Sequence, residues 1–286
     1  MPDDPETPRP PLVTHRTKLW LGLGVFAMAG GAQAQTHGGH AAPAARGTAG
    51  RGGGEGGEGG EGGEGGEAGV LAQAPPDVVF AVRLMQVRGH LSVGMELARL
   101  GAWNEAVVHF LHPAEEIYAK LRPDLRRRRL TGFAAELDAL ATRVRRRRGG
   151  PELEALHRAL LAKVDRAWAG IPPGVREGTP FIGDVASRTL RAADLEYAAA
   201  LEDGRFANVV EYQDSRGFVA ETVALLARHE AALRARSAAS WDAAGEAMAA
   251  LRRAWPAPRP PDVPVLTPGE VSALVSRFEL AAQGWR

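Results

Sequence analysis

The sequence contains no cysteine. That excludes a disulfide framework, iron–sulfur clusters, c-type haem attachment, thiolate zinc sites and cysteine nucleophiles together. Any metal must therefore be held by His, Asp, Glu, Tyr or backbone groups. Lysine is nearly absent too, with 3 Lys beside 32 Arg, a bias expected of GC-rich codons. No stretch alternates apolar and polar residues as a half-buried strand does. No Gly-x-Ser-x-Gly, phosphate-loop or His-Glu-x-x-His pattern occurs, and His157 and His229 have no nucleophile pattern beside them. The expectation is a protein more suited to binding than to catalysis, with nothing that points to a nucleotide, haem or flavin.

What is present first is an address. His15, Arg16 and Lys18 precede the apolar run Leu19 to Ala29, which is followed by Gly30, Gly31 and Ala32-Gln33-Ala34. A basic flank, a short apolar core and a small-x-small end read as a secretory signal peptide over 1–34. The run falls short of the ~20 residues that span a bilayer; an uncleaved anchor is the alternative, and no transmembrane span is expected after cleavage. Residues 35–73 form a Gly/Glu-rich stretch with Gly-Gly-Glu repeating at Glu55, Glu58, Glu61, Glu64 and Glu67. Such a sequence has no apolar surface to bury and is expected to be a disordered tether with a span of roughly 30 Å, codon drift being the competing explanation. The folded domain is expected over 74–286, with a candidate midpoint boundary in the Pro/Gly-rich stretch 170–183. The protein is therefore read as periplasmic or secreted.

Within 74–286 the apolar residues recur at three- and four-residue spacing, which predicts an all-α, antiparallel helical bundle. The first helix opens at Pro75-Pro76-Asp77 with Asp77 as cap. It carries Val79, Val82, Gln86, His90, Val93, Leu97 and Leu100 on one stripe and ends at Gly101. Gly89 and Gly94 inside it each cost roughly 1 kcal/mol against Ala and point to close helix contact. A second helix runs from Trp103 to Leu111. Pro113 is expected to end it and to open a third, which stops near Pro123. Further helices are expected between the arginine runs 126–129 and 145–148, from Leu153 to Trp168, from a cap at Asp184 to Glu202, from Phe206 to about Arg236 with a kink at Gly217, from Ser240 to Trp255, and after a capping box at Thr267-Pro268-Gly269-Glu270. The arginine runs read as solvated helix ends, with an anionic lipid or other envelope polyanion as the alternative and no nucleic acid as partner. Aligning Gly101 with Gly204 pairs Trp103 with Phe206 and His109 with Tyr212, which suggests two pseudo-symmetric halves.

The candidate chemistry is concentrated between Arg88 and Tyr118. His109 and His112 lie three apart, and Glu115 and Glu116 follow at three and four. A compact turn at Pro113 would bring them to one side, with His90 contributed by the packed neighbouring helix. Imidazole with carboxylate suits Fe, Cu²⁺ or Zn²⁺. The same residues also fit a helix cap, a dipole-favoured acidic first turn and a satisfied core histidine. A second polar cluster, Glu211, Tyr212 and Asp214, faces the first across the bundle or forms a buried hydrogen-bond network. At the leader, cleavage after Ala34 would begin the chain Gln35-Thr36-His37 and place His37 third, where the amine, two backbone nitrogens and the imidazole can enclose Cu²⁺ or Ni²⁺ in a square plane; cleavage after Ala32 would destroy that site.

Two resemblances add to this. Gly94, Gly101, Trp103, Ala106 and Phe110 have the spacing of a tetratricopeptide unit, although its closing Ala falls at Pro113. One unit alone implies helical-hairpin packing rather than an array. Gly89-His90 and Glu96 resemble the Gly-x-His-x-x-Glu motif of imelysin-type exported proteins of bacterial iron uptake, departing from it in that Gly directly precedes His and Glu96 is six residues on. The resemblance implies a periplasmic, metal-linked role. The resulting expectation is an exported helical-bundle protein that binds a transition metal, or a metal-transport or other envelope protein partner, through a His/Glu cluster; the alternative is a metal-free helical protein–protein interaction module of the cell envelope.

Overall fold

The computed structural model describes residues 69–286. The leader, all but the last residues of the 35–73 stretch, and His37 lie outside the described residues.

Helix α1 (Pro76–Arg99) starts on a proline, whose fixed φ and missing N–H suit a first turn. Asp77 lies within that turn rather than capping it, and pairs with Arg128. The helix closes in a Schellman turn: Gly101 takes φ +74°, and the amides of Gly101 and Ala102 reach back to Ala98 and Leu97. Helix α2 (Trp103–His112) then returns along α1.

Proline does not stop this second helix. The chain continues through a π turn, Pro113–Ile117, directly into α3 (Tyr118–Arg127), and Pro123 also lies inside a helix. Pro113 stands at the first position of that turn, and its carbonyl accepts from the Tyr118 amide five residues on. The arginine runs do form helix ends. Arg129 after α3 and Arg147 after α4 (Ala134–Arg145) adopt the left-handed conformation, φ 56° and 54°, with the same back-bonded closure as Gly101. Cationic side chains at helix C-termini complement the macrodipole.

Next come α5 (Pro151–Ala169), the short α6 (Pro173–Arg176) and α7 (Thr179–Ala199). Helix α7 begins ahead of Asp184, because Pro180 supplies the start; Asp184 sits inside it, 2.9 Å from Arg188. A two-residue β pair, Leu201–Glu202 with Arg205–Phe206, tightens the following turn through left-handed Asp203 and Gly204. This pair is a departure from the wholly strand-free reading. Helix α8 (Val209–Arg228) runs unbroken through Gly217, and the long helix expected there is divided at His229, before α9 (Glu230–Arg236). Ser237 caps α10 (Ala238–Leu251), and the box of Thr267 and Glu270 caps α11 (Pro268–Ala282).

The architecture is all-α. The hairpin α7–α8 packs with α11 and α10 to one side. Helix α1 lies against α7 and α8 on one face and against α2 on another, so it joins the two helical hairpins. Both hairpin turns carry a glycine at φ +74°. One continuous apolar core runs from Phe80, Leu84 and Leu91 of α1 to Phe278 and Trp285 at the far end. Among the described residues, no helix is long and apolar enough to cross a membrane.

A candidate metal centre at the α1–α8 crossing

His90 sits in the apolar stripe of α1 between two glycines, and each lets one neighbour come close. At Gly89 the crossing helix is α8: a Cβ placed on Gly217 would stand 2.3 Å from the Gly89 carbonyl oxygen. The two backbones are in contact. At Gly94 the neighbour is α2, where an added Cβ would meet the Phe110 ring at 2.9 Å and the His109 Cβ at 3.2 Å. Three residues before Gly217, one turn along α8, is Asp214. Small residues at both crossings therefore bring His90, His109 and Asp214 to one point in the interior.

The Asp214 carboxylate is the centre of the group. It is 1% exposed, and His90 and His109 are 2% and 0%. His109 Nδ1 lies 2.8 Å from Asp214 Oδ1 and His90 Nδ1 lies 2.6 Å from the same oxygen. His90 Nδ1 makes that charge contact without a regular hydrogen bond, and Asp214 Oδ2 has no hydrogen-bond partner. His112 Nδ1 stands 3.9 Å from that second oxygen, and the His112 and His90 rings are 4.6 Å apart between centroids. Ligand atoms of His90, His112 and Asp214 all fall within 4.8 Å of one another.

The second ring nitrogen of His112 is spoken for by Glu116, at 2.9 Å across one turn of the π segment. A histidine whose outer nitrogen is held by a carboxylate has its other nitrogen fixed in direction, the usual support behind a metal-bound imidazole. His109 is arranged differently. Its Nε2 is 2.9 Å from Gln213 Oε1, while Gln213 Nε2 donates to Glu105, which Arg259 grips with two nitrogens. Because Glu105 can only accept, the Gln213 amide is oriented and both His109 nitrogens face oxygen. His109 thus orients Asp214 and has no nitrogen left for an ion.

Electrostatics follow this division. Burial pushes His90 toward its neutral form and outweighs the pull of Asp214. Burial likewise opposes charge on Asp214, but the His90 and His109 imidazoles beside it hold its carboxyl well below the usual range. His112 is half-buried; desolvation is overcome by the Glu116 hydrogen bond and by the charges of Asp214, Glu116 and Glu211, which raise its pKa to about 8. The His112 contact in turn lowers Glu116.

Of the residues singled out in the sequence, the structure brings His90, His109, His112 and Asp214 together with Glu116 behind them. Glu211, partly buried, acts on His112 by charge. Glu115 is exposed, and Tyr212 turns away to donate to the Ala257 carbonyl. The Glu105–Arg259 pair behind Gln213 carried no signal in the sequence, since it joins α2 to the loop after α10 through residues of ordinary surface type. Gln213 and Ser215 gave the one hint, as polar residues in a helical stripe that proves wholly buried.

A carboxylate and two imidazoles converging in a helical bundle, with two buried ligand atoms unpaired, define a helical protein with a cluster capable of holding a transition metal. Residues 172–285 match the family model described as "Iron permease-associated 4-helix bundle domain". The match covers less than half of the chain and takes in α7, α8, α10 and α11. Asp214 and Gln213 lie inside it, whereas His90, His109 and His112 precede it. It points to association with iron-permease-type bundles rather than to imelysin-type proteins specifically, whose motif-like residues fall on α1. No curated protein and no solved structure matches the chain.

Proposed function

We propose that this is an exported, non-enzymatic helical-bundle protein that binds a divalent transition metal ion through His90, His112 and Asp214 and serves bacterial iron acquisition in the envelope. Residues 1–34 act as its signal peptide, 35–73 as a tether and 74–286 as the binding domain. The observation that carries the reading is the pair of unpartnered buried atoms, His90 Nδ1 and Asp214 Oδ2, with His112 Nδ1 facing them. A buried polar atom left unpaired costs ~1–3 kcal/mol, more for a charged group. Two such atoms in one place, with the half-exposed His112 Nδ1 beside them, are well explained by an ion that all three share. The site fits the ion: two imidazoles and one carboxylate are the donor set of non-haem Fe²⁺ sites and also suit Zn²⁺ and Cu²⁺. His109 holds the carboxylate and Glu116 holds His112. The matched description, an iron permease-associated bundle, supports iron as the cargo and a metal-transport protein as the partner.

The test is metal analysis of the purified protein and titration of the metal-free form with Fe²⁺ under anaerobic conditions, alongside Zn²⁺ and Cu²⁺. Binding of one equivalent, lost in His90→Ala and in Asp214→Asn, is the expected result. If none of the three ions binds or raises the melting temperature, the metal-free interaction module is the better reading.

A further inference from the structure

The cluster is closed on most sides. The touching backbones of Gly89 and Gly217 lie beneath it. The Phe218 ring meets His90 edge-on at 5.2 Å between centroids, and His109 with Gln213 closes a third side. His90, His109 and Asp214 are essentially inaccessible, while the His112 and Glu116 side chains are 35% and 34% exposed. The way from solvent to Asp214 therefore passes His112. That ring has one nitrogen toward buried Asp214 and the other toward half-exposed Glu116. Glu211, one turn before Asp214 on α8, adds its negative charge at the same place. The helix continues past Pro113 through the π turn that carries Glu116, with His112 and Glu116 one turn apart on the same rim.

Given the metal-binding reading, on which this rests, we infer that Glu116 and Glu211 form an acidic mouth that captures a divalent cation from solvent and hands it past His112 to the buried His90–Asp214 pair. Glu211 governs the rate of loading and not the final coordination, while Glu116 contributes its charge at the mouth and also holds His112. His112 is the shared group, turned to Glu116 on the outside and to the inner ligands on the inside. Opposite charge at the opening of a low-dielectric cup raises the local cation concentration and the on-rate, an effect that falls with ionic strength.

The experiment is stopped-flow loading of the metal-free full chain with Co²⁺, followed by its visible absorption. Glu211→Gln is expected to slow loading about tenfold at low salt, and Glu211→Gln with Glu116→Gln further. The difference should shrink at high salt, with the final spectrum and stoichiometry of Glu211→Gln unchanged from wild type. Glu246→Gln, which removes an equal charge from an exposed position on α10, should load at the wild-type rate. Wild-type rates in both mouth variants would overturn the inference while leaving the metal site standing. So would a changed spectrum in Glu211→Gln, because Glu211 would then be a ligand. If the wild-type protein takes up no Co²⁺ and none of the other ions, the metal reading itself fails.

Discussion

A buried carboxylate with two imidazoles in contact makes Asp214 the most consequential single residue. Asp214→Asn removes the charge that His109 and His90 face, and removing one member of a buried ionic pair costs ~3–5 kcal/mol. Urea unfolding of the metal-free protein should show a loss of that size. His112 gives a pH dependence of known sign. Its folded-state pKa is raised from 6.5 to about 8. Its contacts therefore stabilise the fold fully below pH 6.5, and the contribution is lost as the pH rises through 8. With the side chain 35% exposed, the amount is about 1 kcal/mol or less after solvent screening. Unfolding free energies at pH 6 and pH 9 should differ by that much more in the wild-type protein than in His112→Ala. At this scale the sequence was partly legible. His90, His112 and Asp214 stand out as polar residues at helical spacing among apolar ones. That His109 orients Asp214, with no nitrogen free for an ion, depends on Gln213 and Glu105, whose meeting no local pattern signals.

Between elements, the decisive contact is α1 against α8 at Gly89 and Gly217. Gly217→Ala would place a Cβ 2.3 Å from a carbonyl oxygen that cannot yield without moving a helix. We expect a loss of ~2–3 kcal/mol and weakened metal binding, since spreading the helices parts His90 from Asp214. Gly245→Ala in α10, where an added Cβ meets nothing within 4 Å, should be neutral or stabilising by ~0.5–1 kcal/mol. Calorimetry of the two variants separates a close-approach glycine from an incidental one. The glycines of α1 were readable as contact points because each is costly inside a helix. Gly217 read instead as a kink: sequence shows that a glycine is tolerated, not whether it bends a helix or admits a neighbour. Pro113 misled for a related reason, because the local rule against proline in helices takes no account of a π turn.

Taken whole, the candidate metal ligands come from both sides of a seam, His90 and His112 from the helices before residue 172 and Asp214 from the bundle after it. Saturating metal at a hundredfold excess over Kd should stabilise the fold by ~2.7 kcal/mol, read as a rise in Tm that a chelator reverses. The all-helical character was plain from periodicity alone, since apolar residues three and four apart recur throughout. The seam was not, because the pairing of distant helices is fixed by shape where small residues meet. The seam also answers the first thing the sequence lacks. A chain without cysteine has no covalent way to pin its ends together, yet an ion shared by His90 and Asp214 would fasten positions more than a hundred residues apart. A disulfide acts by shrinking the freedom of the unfolded chain, whereas the ion would act by holding only the folded one, so the fastening would open and close with metal supply instead of with redox state.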